Sequence, residues 1–124
     1  MITAETPIKF EHKKHKDTTL LELYYNILKP RMIEEKMLLL LRQGKISKWF
    51  SGIGQEAISA GVASALNTDE FILPMHRNLG VFTTRKIPLN RLFSQFQGKP
   101  GGFTQGRDRS FHFWTQDYKI VGMI

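Results

Sequence analysis

A long run of apolar residues at helical spacing is the feature that most limits how this chain can fold. The run comprises Leu20, Leu23, Tyr24, Ile27, Leu28, Ile33, Met37, Leu40 and Leu41. Its period predicts one long amphipathic helix with one side against a core. Pro30 removes a hydrogen-bond donor from the middle of the run, which predicts a kink. Thr19 and Glu22 fit a capping box at the start, and Gly44 fits a carboxy-terminal stop.

The polar positions of this predicted helix define its solvent-facing side, which carries Glu34, Glu35, Lys36 and Arg42. The rest of the chain predicts shorter elements. A helix with many small residues should follow an aromatic turn and end near Leu66, and its small side chains predict close packing. The apolar run 71–74 predicts a short buried strand. Pro88 should begin a last helix after a loop through Gly80. The glycine-rich, basic stretch 98–110 predicts a mobile or ligand-ordered loop.

Composition limits the class of protein. The chain has 124 residues, 41% of them apolar and 23% charged, which fits one globular domain. It has no cysteine, which excludes disulfides and thiolate metal sites. Its apolar runs are too short to span a membrane, and it starts without an apolar signal core. We therefore expect no membrane insertion, no export and a cytoplasmic location.

The net charge of +7 raises the question of nucleic-acid binding. Several lysines cluster in residues 1–17, a polar stretch without hydrophobic period that we interpret as a flexible basic arm. Most other basic residues are scattered along 18–124, the predicted domain. We therefore expect no nucleic-acid partner, while an anionic small molecule or an acidic protein would suit the same charge.

Three short motifs are candidates for a site, and each has a structural alternative. Glycines in the segment 52–57 match a relaxed dinucleotide fingerprint, but a helix precedes them, so a tight turn and close packing are favoured. His76 and Arg77 follow the predicted strand and could grip phosphate oxygens, or Arg77 could pair with Asp69. The loop 107–112 could meet a ligand or be solvated. His112, between two phenylalanines, could instead be half-buried and bonded to backbone.

Taken in order, the segments Gly54–Ala57, Pro74–Gly80 and Gly106–His112 resemble the thiamine-diphosphate-dependent 2-oxo acid dehydrogenases. The similarity is to the alpha subunit of the decarboxylating component, or to the alpha half of a fused chain, and it covers residues 20–124. It implies an α/β thiamine-diphosphate-binding fold in the parent protein. The present chain corresponds to the mostly helical amino-terminal portion of that fold.

The resemblance also implies roles for individual residues. The residues that it places beside the cofactor are His76, Arg77, Met123 and Ile124. The residues that it places beside the substrate are Phe50 and Thr115. An aromatic residue at position 50 favours a branched-chain 2-oxo acid over pyruvate. Supporting or loop roles fall on Gln55, Glu56, Arg107, Arg109, Ser110 and His112. No catalytic group and no metal ligand is assigned within this chain.

The resemblance has gaps that predict what must come from elsewhere. The family holds Mg²⁺ with a Gly-Asp-Gly motif and a later Asn, and this sequence has no Gly-Asp-Gly. We therefore expect a truncated piece that by itself neither binds thiamine diphosphate tightly nor turns over substrate. The implied partners are a beta subunit or beta half, a lipoyl-bearing acyltransferase and a further copy in a homo-oligomer. The alternatives are a basic interaction module for nucleic acid or an acidic protein, and a non-catalytic scaffold paralogue.

Overall fold

Four α-helices make up most of the regular structure in the described part of the chain. The structure is a computed structural model that describes residue 9 and residues 11–122. The helices are α1 (Asp17–Arg42), α2 (Glu56–Ala65), α3 (Leu79–Thr84) and α4 (Leu89–Phe96), with a 3-10 turn at His12–Lys14 before them. Within these residues, β pairing is limited to single bridges that join Ile120 to Ile72 and to Thr115. The predicted mostly helical architecture is therefore confirmed.

Helix α1 is the single long helix that the apolar period predicts, and it continues through Pro30. Its predicted start was wrong, because the helix begins at Asp17 and its N-cap residue makes no side-chain capping bond. Its predicted end is confirmed. Gly44 adopts a φ of +68°, and its amide and that of Lys45 donate to two carbonyls of the last turn, at 3.0 and 2.9 Å. This left-handed cap is the conformation that glycine adopts at least cost. None of the helices in the described part of the chain contains an apolar stretch of the length that a membrane span requires.

The core lies along the inner side of α1. It is formed by Ile33, Met37, Leu40, Ile46, Trp49, Ala63, Leu79, Val81, Phe82, Ile87, Leu92, Phe96, Phe111, Phe113 and Ile120. The placement of Glu34 on the solvent-facing side of the helix was wrong, because its side chain is 1% exposed. Residues 30, 33, 34 and 37 share one side of a helix with 3.6 residues per turn, so Glu34 is carried into the core with its apolar neighbours.

Helix α3 replaces the loop that the sequence predicted around Gly80. A Cβ atom on Gly80 would lie 2.8 Å from the Cβ of Ser59 in α2, so glycine lets the two helices pack closely. The six residues of α3 include a glycine and three β-branched side chains, which have low helix propensity. Burial of most of this helix against α2 and the core therefore stabilises it, and no local pattern could show that.

The predicted buried strand at 71–74 was also wrong. Phe71 and Leu73 are 49% and 66% exposed. Only Ile72 pairs, donating to the carbonyl of Lys119 and accepting from the amide of Val121, each at 2.9 Å. An apolar run becomes a buried strand only when neighbouring strands cover it, and the described residues supply one bridge partner.

The segment 98–110 is folded onto α4 in a series of turns and is not a free loop. The side chain of Gln95 is fully buried. It accepts from the amide and hydroxyl of Thr104, both at 3.1 Å, and donates to the carbonyl of Asp108 at 3.3 Å. A Cβ on Gly102 would lie 2.7 Å from the Cα of Gln95. The backbone at Gly102 therefore packs directly against Gln95. The expected ligand-dependent ordering stays a prediction.

Candidate functional site

The turn that carries Phe50 is fixed by a buried carboxylate of α1. Glu34 accepts a hydrogen bond from Nε1 of Trp49 at 2.7 Å and one from the amide of Gly52 at 2.9 Å. The indole of Trp49 also packs against Phe96, with ring centroids 4.9 Å apart. Because both ends of the turn are held, the half-buried ring of Phe50 has a defined position between them.

A second turn carries His76 and Arg77 and lies directly against the first. A Cβ on Gly52 would come within 2.0 Å of the carbonyl oxygen of Arg77, so only glycine allows this approach. The ring centroids of Phe50 and His76 are 4.6 Å apart. The side chain of Asn78 accepts from the amide of Met75 at 2.8 Å and so closes the second turn. The structure therefore brings together two residues that the sequence assigned separately to substrate and to cofactor.

Arg77 is available for a ligand in this arrangement. Its side chain is exposed, whereas His76 is half-buried beside Phe50. The alternative pairing of Arg77 with Asp69 is absent, because the two ion pairs among residues 9 and 11–122 join Glu11 to Lys14 and Arg31 to Glu56. An exposed guanidinium next to a half-buried imidazole is compatible with the predicted hydrogen bonding to phosphate oxygens.

A cleft of about 230 Å³ opens beside Phe50. It is lined by Ser47, Lys48, Phe50, Asp108, Arg109, Ser110 and His112. The predicted substrate residue therefore meets the basic loop across one cavity. The bonding alternative for His112 was wrong, since its side chain is exposed at the cleft and is not half-buried.

The walls of the cleft are mostly cationic and hydrogen-bonding. The Lys48 ammonium lies 4.8 Å from the centre of the Phe50 ring, and Nη1 of Arg109 donates to the hydroxyl of Ser47 at 2.9 Å. Asp108 opposes them with one carboxylate, which accepts from the amide of Arg109 at 2.8 Å. Ser110 has a φ of +58° and a buried hydroxyl without a hydrogen-bond partner. The excess of donors suits a small carboxylate or phosphate.

Glu56 supports the site from the start of α2. Its carboxylate accepts from Nε and Nη2 of Arg31, at 2.6 and 3.1 Å, and from the amide of Gly54 at 2.8 Å. The side-chain hydrogen bond from Arg31 holds the pKa of Glu56 below its ordinary value. Gly54 has a φ of +94°, so the turn before α2 also needs glycine. Gln55 is exposed and makes no side-chain capping bond.

Two other candidate residues, Thr115 and Arg107, lie away from the cleft. Thr115 is buried in a bridge with Ile120, with backbone hydrogen bonds of 3.0 and 3.1 Å. Arg107 is exposed on a separate depression near Phe103. Met123 and Ile124 lie outside the described residues. Within the described part of the chain, no group of three acidic or histidine side chains could hold a metal ion.

Three residues that shape the site were missed by the sequence interpretation. They are Glu34, Ser47 and Lys48. A signal for Glu34 existed, since a buried tryptophan needs an acceptor for its indole N–H. Ser47 and Lys48 precede Phe50 by three and two residues, but their position gave no sign that the basic loop lies opposite them.

Comparison with known proteins gives the chain a family. Residues 25–123 match the family described as "Dehydrogenase E1 component". The 2-oxoisovalerate dehydrogenase subunit alpha of Bacillus subtilis is 34% identical over 107 residues, which are 85% of this chain and 32% of the relative. The mitochondrial 2-oxoisovalerate dehydrogenase subunit alpha 1 of Arabidopsis thaliana is 35% identical over 72 residues, covering 58% of this chain and 15% of the relative.

A relative whose name refers to pyruvate has a lower sequence identity to this chain. The mitochondrial pyruvate dehydrogenase E1 component subunit alpha-1 of Arabidopsis thaliana is 29% identical over 69 residues, which are 56% of this chain and 18% of the relative. The chain thus spans less than a third of the length of these relatives. With residues 25–123 of its 124 inside the matched region, and in agreement with the resemblance of its motifs, the chain belongs to the dehydrogenase E1 component family.

Proposed function

We propose that this chain supplies the alpha-type share of the decarboxylating component of a 2-oxo acid dehydrogenase complex. The observation that carries the proposal is the contact between its two predicted ligand turns. The rings of Phe50 and His76 lie 4.6 Å apart, where Gly52 allows the carbonyl of Arg77 to approach. A substrate position and a phosphate position side by side are what decarboxylation on a phosphorylated coenzyme requires.

Thiamine diphosphate is the coenzyme that we assign to this site, with Mg²⁺ held by residues beyond this chain. When bound, its thiazolium ring accepts the electron pair left by loss of CO₂. The exposed guanidinium of Arg77 and the half-buried imidazole of His76 fit its diphosphate. Glu56, fixed by Arg31, keeps the neighbouring turn in place, and Gln55 borders that turn. Thr115, Met123 and Ile124 stay proposed as neighbours of substrate or cofactor.

The cleft beside Phe50 is the proposed approach for the 2-oxo acid. Lys48, Arg109 and His112 place positive or hydrogen-bonding groups around it, which would orient the carboxylate of the substrate before that group is lost. The ring of Phe50 offers an apolar wall for the rest of the molecule. This wall favours a branched-chain acid, in keeping with the 2-oxoisovalerate names of two of the relatives, and pyruvate is the second candidate.

The complete reaction needs further polypeptide. We propose oxidative decarboxylation with transfer of the acyl group to lipoyl, with a beta subunit or beta half completing the site and a lipoyl-bearing acyltransferase receiving the product. The chain spans 15% to 32% of the relatives compared above, so its 124 residues alone should be inactive. The cytoplasm stays the predicted location.

Binding of the coenzyme to the complete alpha and beta protein tests the proposal. Calorimetry with thiamine diphosphate and Mg²⁺ should show saturable binding that Arg77→Ala weakens at least about tenfold, since a bidentate phosphate contact is lost. Lys99→Ala is the matched control, because Lys99 is an exposed cation outside the cleft, and it should bind as the unmodified protein does. Equal affinity of the Arg77 variant and the control would overturn the assignment. Saturation of the 124-residue chain alone at micromolar coenzyme would instead contradict the expectation that this piece does not bind the coenzyme tightly by itself.

A further inference from the structure

The turn that carries His76 and Arg77 is closed by a side chain of its own. We call it the His76 turn, and it consists of residues 75–78. The amide of Asn78 donates to the carbonyl of Met75 at 3.0 Å, and the side-chain oxygen of Asn78 accepts from the amide of Met75 at 2.8 Å. His76 and Arg77 therefore lie between two residues that are joined by two hydrogen bonds.

Asn78 occupies a position where asparagine ordinarily caps a helix. It directly precedes α3, and the side chain of an asparagine there usually accepts from an amide of the first helical turn. In the part of the chain that the structure describes, the side chain of Asn78 makes no such bond to α3 and bonds instead to the residues before and beside it. Its side-chain hydrogen bonds therefore stabilise the His76 turn and not the helix.

Ser59 of α2 holds the other end of the Asn78 side chain. The hydroxyl of Ser59 accepts from Nδ2 of Asn78 at 3.3 Å and donates to the carbonyl of Gln55 at 3.2 Å. Ser59 is 3% exposed, and α3 packs directly on it at Gly80. A chain of hydrogen bonds thus runs from the first turn of α2, through Ser59 and Asn78, to the backbone of Met75.

The donors and acceptors of this chain fit in one direction only. The side-chain oxygen of Asn78 meets an N–H group, and its nitrogen meets a hydroxyl oxygen that can accept. Rotation of the side-chain amide by half a turn would place its NH₂ group against the backbone N–H of Met75, donor against donor. The side chain therefore has a single favourable orientation, and the His76 turn has a defined position relative to α2.

We propose that Asn78, held by Ser59, is a positioning residue for the coenzyme that acts through Arg77. This inference rests on the proposed function, since it concerns the same diphosphate site. An untethered turn would present the guanidinium of Arg77 in several places, and apparent affinity falls with the fraction of molecules in the binding conformation. Because Asn78 bonds the turn to α2, that fraction is high before the coenzyme binds.

Hydrogen exchange in the complete alpha and beta protein without coenzyme tests the tether itself. Asn78→Ala should speed exchange in peptides that cover the His76 turn at least about fivefold, the factor that roughly corresponds to one lost hydrogen bond. Asn78→Asp keeps an acceptor for the amide of Met75, and the hydroxyl of Ser59 can rotate to donate to the carboxylate. Exchange in that variant should therefore stay close to that of the unmodified protein. Unchanged exchange in Asn78→Ala would overturn the proposal.

Asn26→Ala is the matched control for this measurement and for coenzyme binding. Asn26 of α1 also donates to a serine of α2, the exposed Ser64, at the same distance of 3.3 Å. It is half-buried, as Asn78 is. Its bond connects α2 to α1 and not to the His76 turn, so its loss should leave both exchange of that turn and coenzyme affinity unchanged.

A double-variant cycle tests whether Asn78 acts through Arg77. In calorimetry of the complete protein with thiamine diphosphate and Mg²⁺, Asn78→Ala should raise Kd at least about threefold. In the presence of Arg77→Ala it should raise Kd by less than about 1.5-fold, because the side chain that it positions is gone. A residue that merely supports the fold would raise Kd by the same factor in both backgrounds.

The cycle separates failure of this inference from failure of the proposed function. If Arg77→Ala weakens binding and the effect of Asn78→Ala is equal in both backgrounds, the positioning role is wrong and the diphosphate site stands. The same holds if Asn78→Ala binds coenzyme as Asn26→Ala does. If Arg77→Ala itself binds as tightly as the unmodified protein, both proposals fail.

Discussion

The indole N–H of Trp49 donates to the buried carboxylate of Glu34 at 2.7 Å, which ties the ligand-bearing turn to helix α1. The second oxygen of the same carboxylate accepts from the amide of Gly52 at 2.9 Å. A carboxylate with both oxygens occupied in this way acts as a clamp on the turn. The position of Phe50 therefore depends on a residue of α1 that does not line the cleft.

Removing the clamp should destabilise the protein strongly. Glu34→Ala leaves two buried N–H groups without acceptors and opens a cavity, so we expect a loss of about 3 kcal/mol in the free energy of unfolding. Glu34→Gln keeps one acceptor oxygen and should lose about half as much. Urea unfolding followed by circular dichroism measures both. Glu35→Ala is the control, because Glu35 is exposed on the same helix, and a loss equal to that of Glu34→Ala would contradict the clamp.

Gly52 should be intolerant of even one additional carbon atom. A Cβ there would meet the carbonyl oxygen of Arg77 at 2.0 Å, so Gly52→Ala must separate the two turns. We expect a loss of about 3 kcal/mol, the upper end for an overpacked site. Gly61 offers a matched control inside α2, where a Cβ would meet nothing within 4 Å. Gly61→Ala should stabilise the protein by about 0.5–1 kcal/mol, because alanine is the better helix former. Thermal unfolding of the pair should give shifts of opposite sign.

The ion pair between Arg31 and Glu56 should make stability depend on acid pH. The hydrogen bond from Arg31 lowers the pKa of Glu56 below 4.5, its ordinary value. A carboxyl group whose folded pKa is depressed stabilises the fold above the unfolded pKa and loses that contribution as pH falls through the folded one. At pH 7 the unmodified protein should therefore have a higher melting temperature than the Arg31→Met variant. The difference between the two melting temperatures should stay constant down to about pH 5.

Below pH 4.5 the two melting temperatures should converge, because protonated Glu56 no longer prefers the folded environment. Differential scanning calorimetry from pH 3 to pH 7 measures the gap. Lys45→Met removes an exposed cation elsewhere and should show no such convergence. A gap between the protein and Arg31→Met that stays constant through this range would rule out the ion pair as its source.

The sequence predicted those features that depend on the spacing and order of residues along the chain. The apolar period of α1 and the left-handed cap at Gly44 are local, so the long helix and its end could be read from residue spacing. The ligand motifs could be recognised because their order and separation are themselves sequence properties. The family followed from that order, as the match over residues 25–123 confirms.

What the sequence could not show depends on contacts between distant residues. Glu34 looked solvated because charged residues in helices usually are, and only the positions of Trp49 and Gly52 explain its burial. Helix α3 has low propensity and forms because Gly80 lets it pack on α2. The cleft joins residues 47–50 to residues 108–112, and nothing in either segment indicated the other.

Gln95 should control how firmly the basic loop is held. Its side chain makes three hydrogen bonds to Thr104 and Asp108, so Gln95→Ala should cost about 2–3 kcal/mol in stability and release the loop locally. Trypsin then reaches the bond after Arg107 more often, and the rate of that cleavage should rise at least about tenfold. Mass spectrometry of the fragment that ends at Arg107 measures this rate. Gln116→Ala, an exposed position, should leave it unchanged, and equal cleavage of the two variants would contradict the role of Gln95.

The apolar wall at Phe50 should set the preference among 2-oxo acids in the complete protein. Its half-buried ring borders the cleft and lies against His76, so Phe50→Ser removes apolar contact from a branched substrate while the cleft keeps all of its charged side chains. We expect the ratio of kcat/KM for 2-oxoisovalerate over that for pyruvate to fall about tenfold, since even one methylene group in an apolar pocket changes this ratio by roughly tenfold or more. Phe71→Ser, on an exposed ring outside the cleft, should leave the ratio unchanged. Equal losses for both substrates would mean that Phe50 holds the turn in place and does not select the substrate.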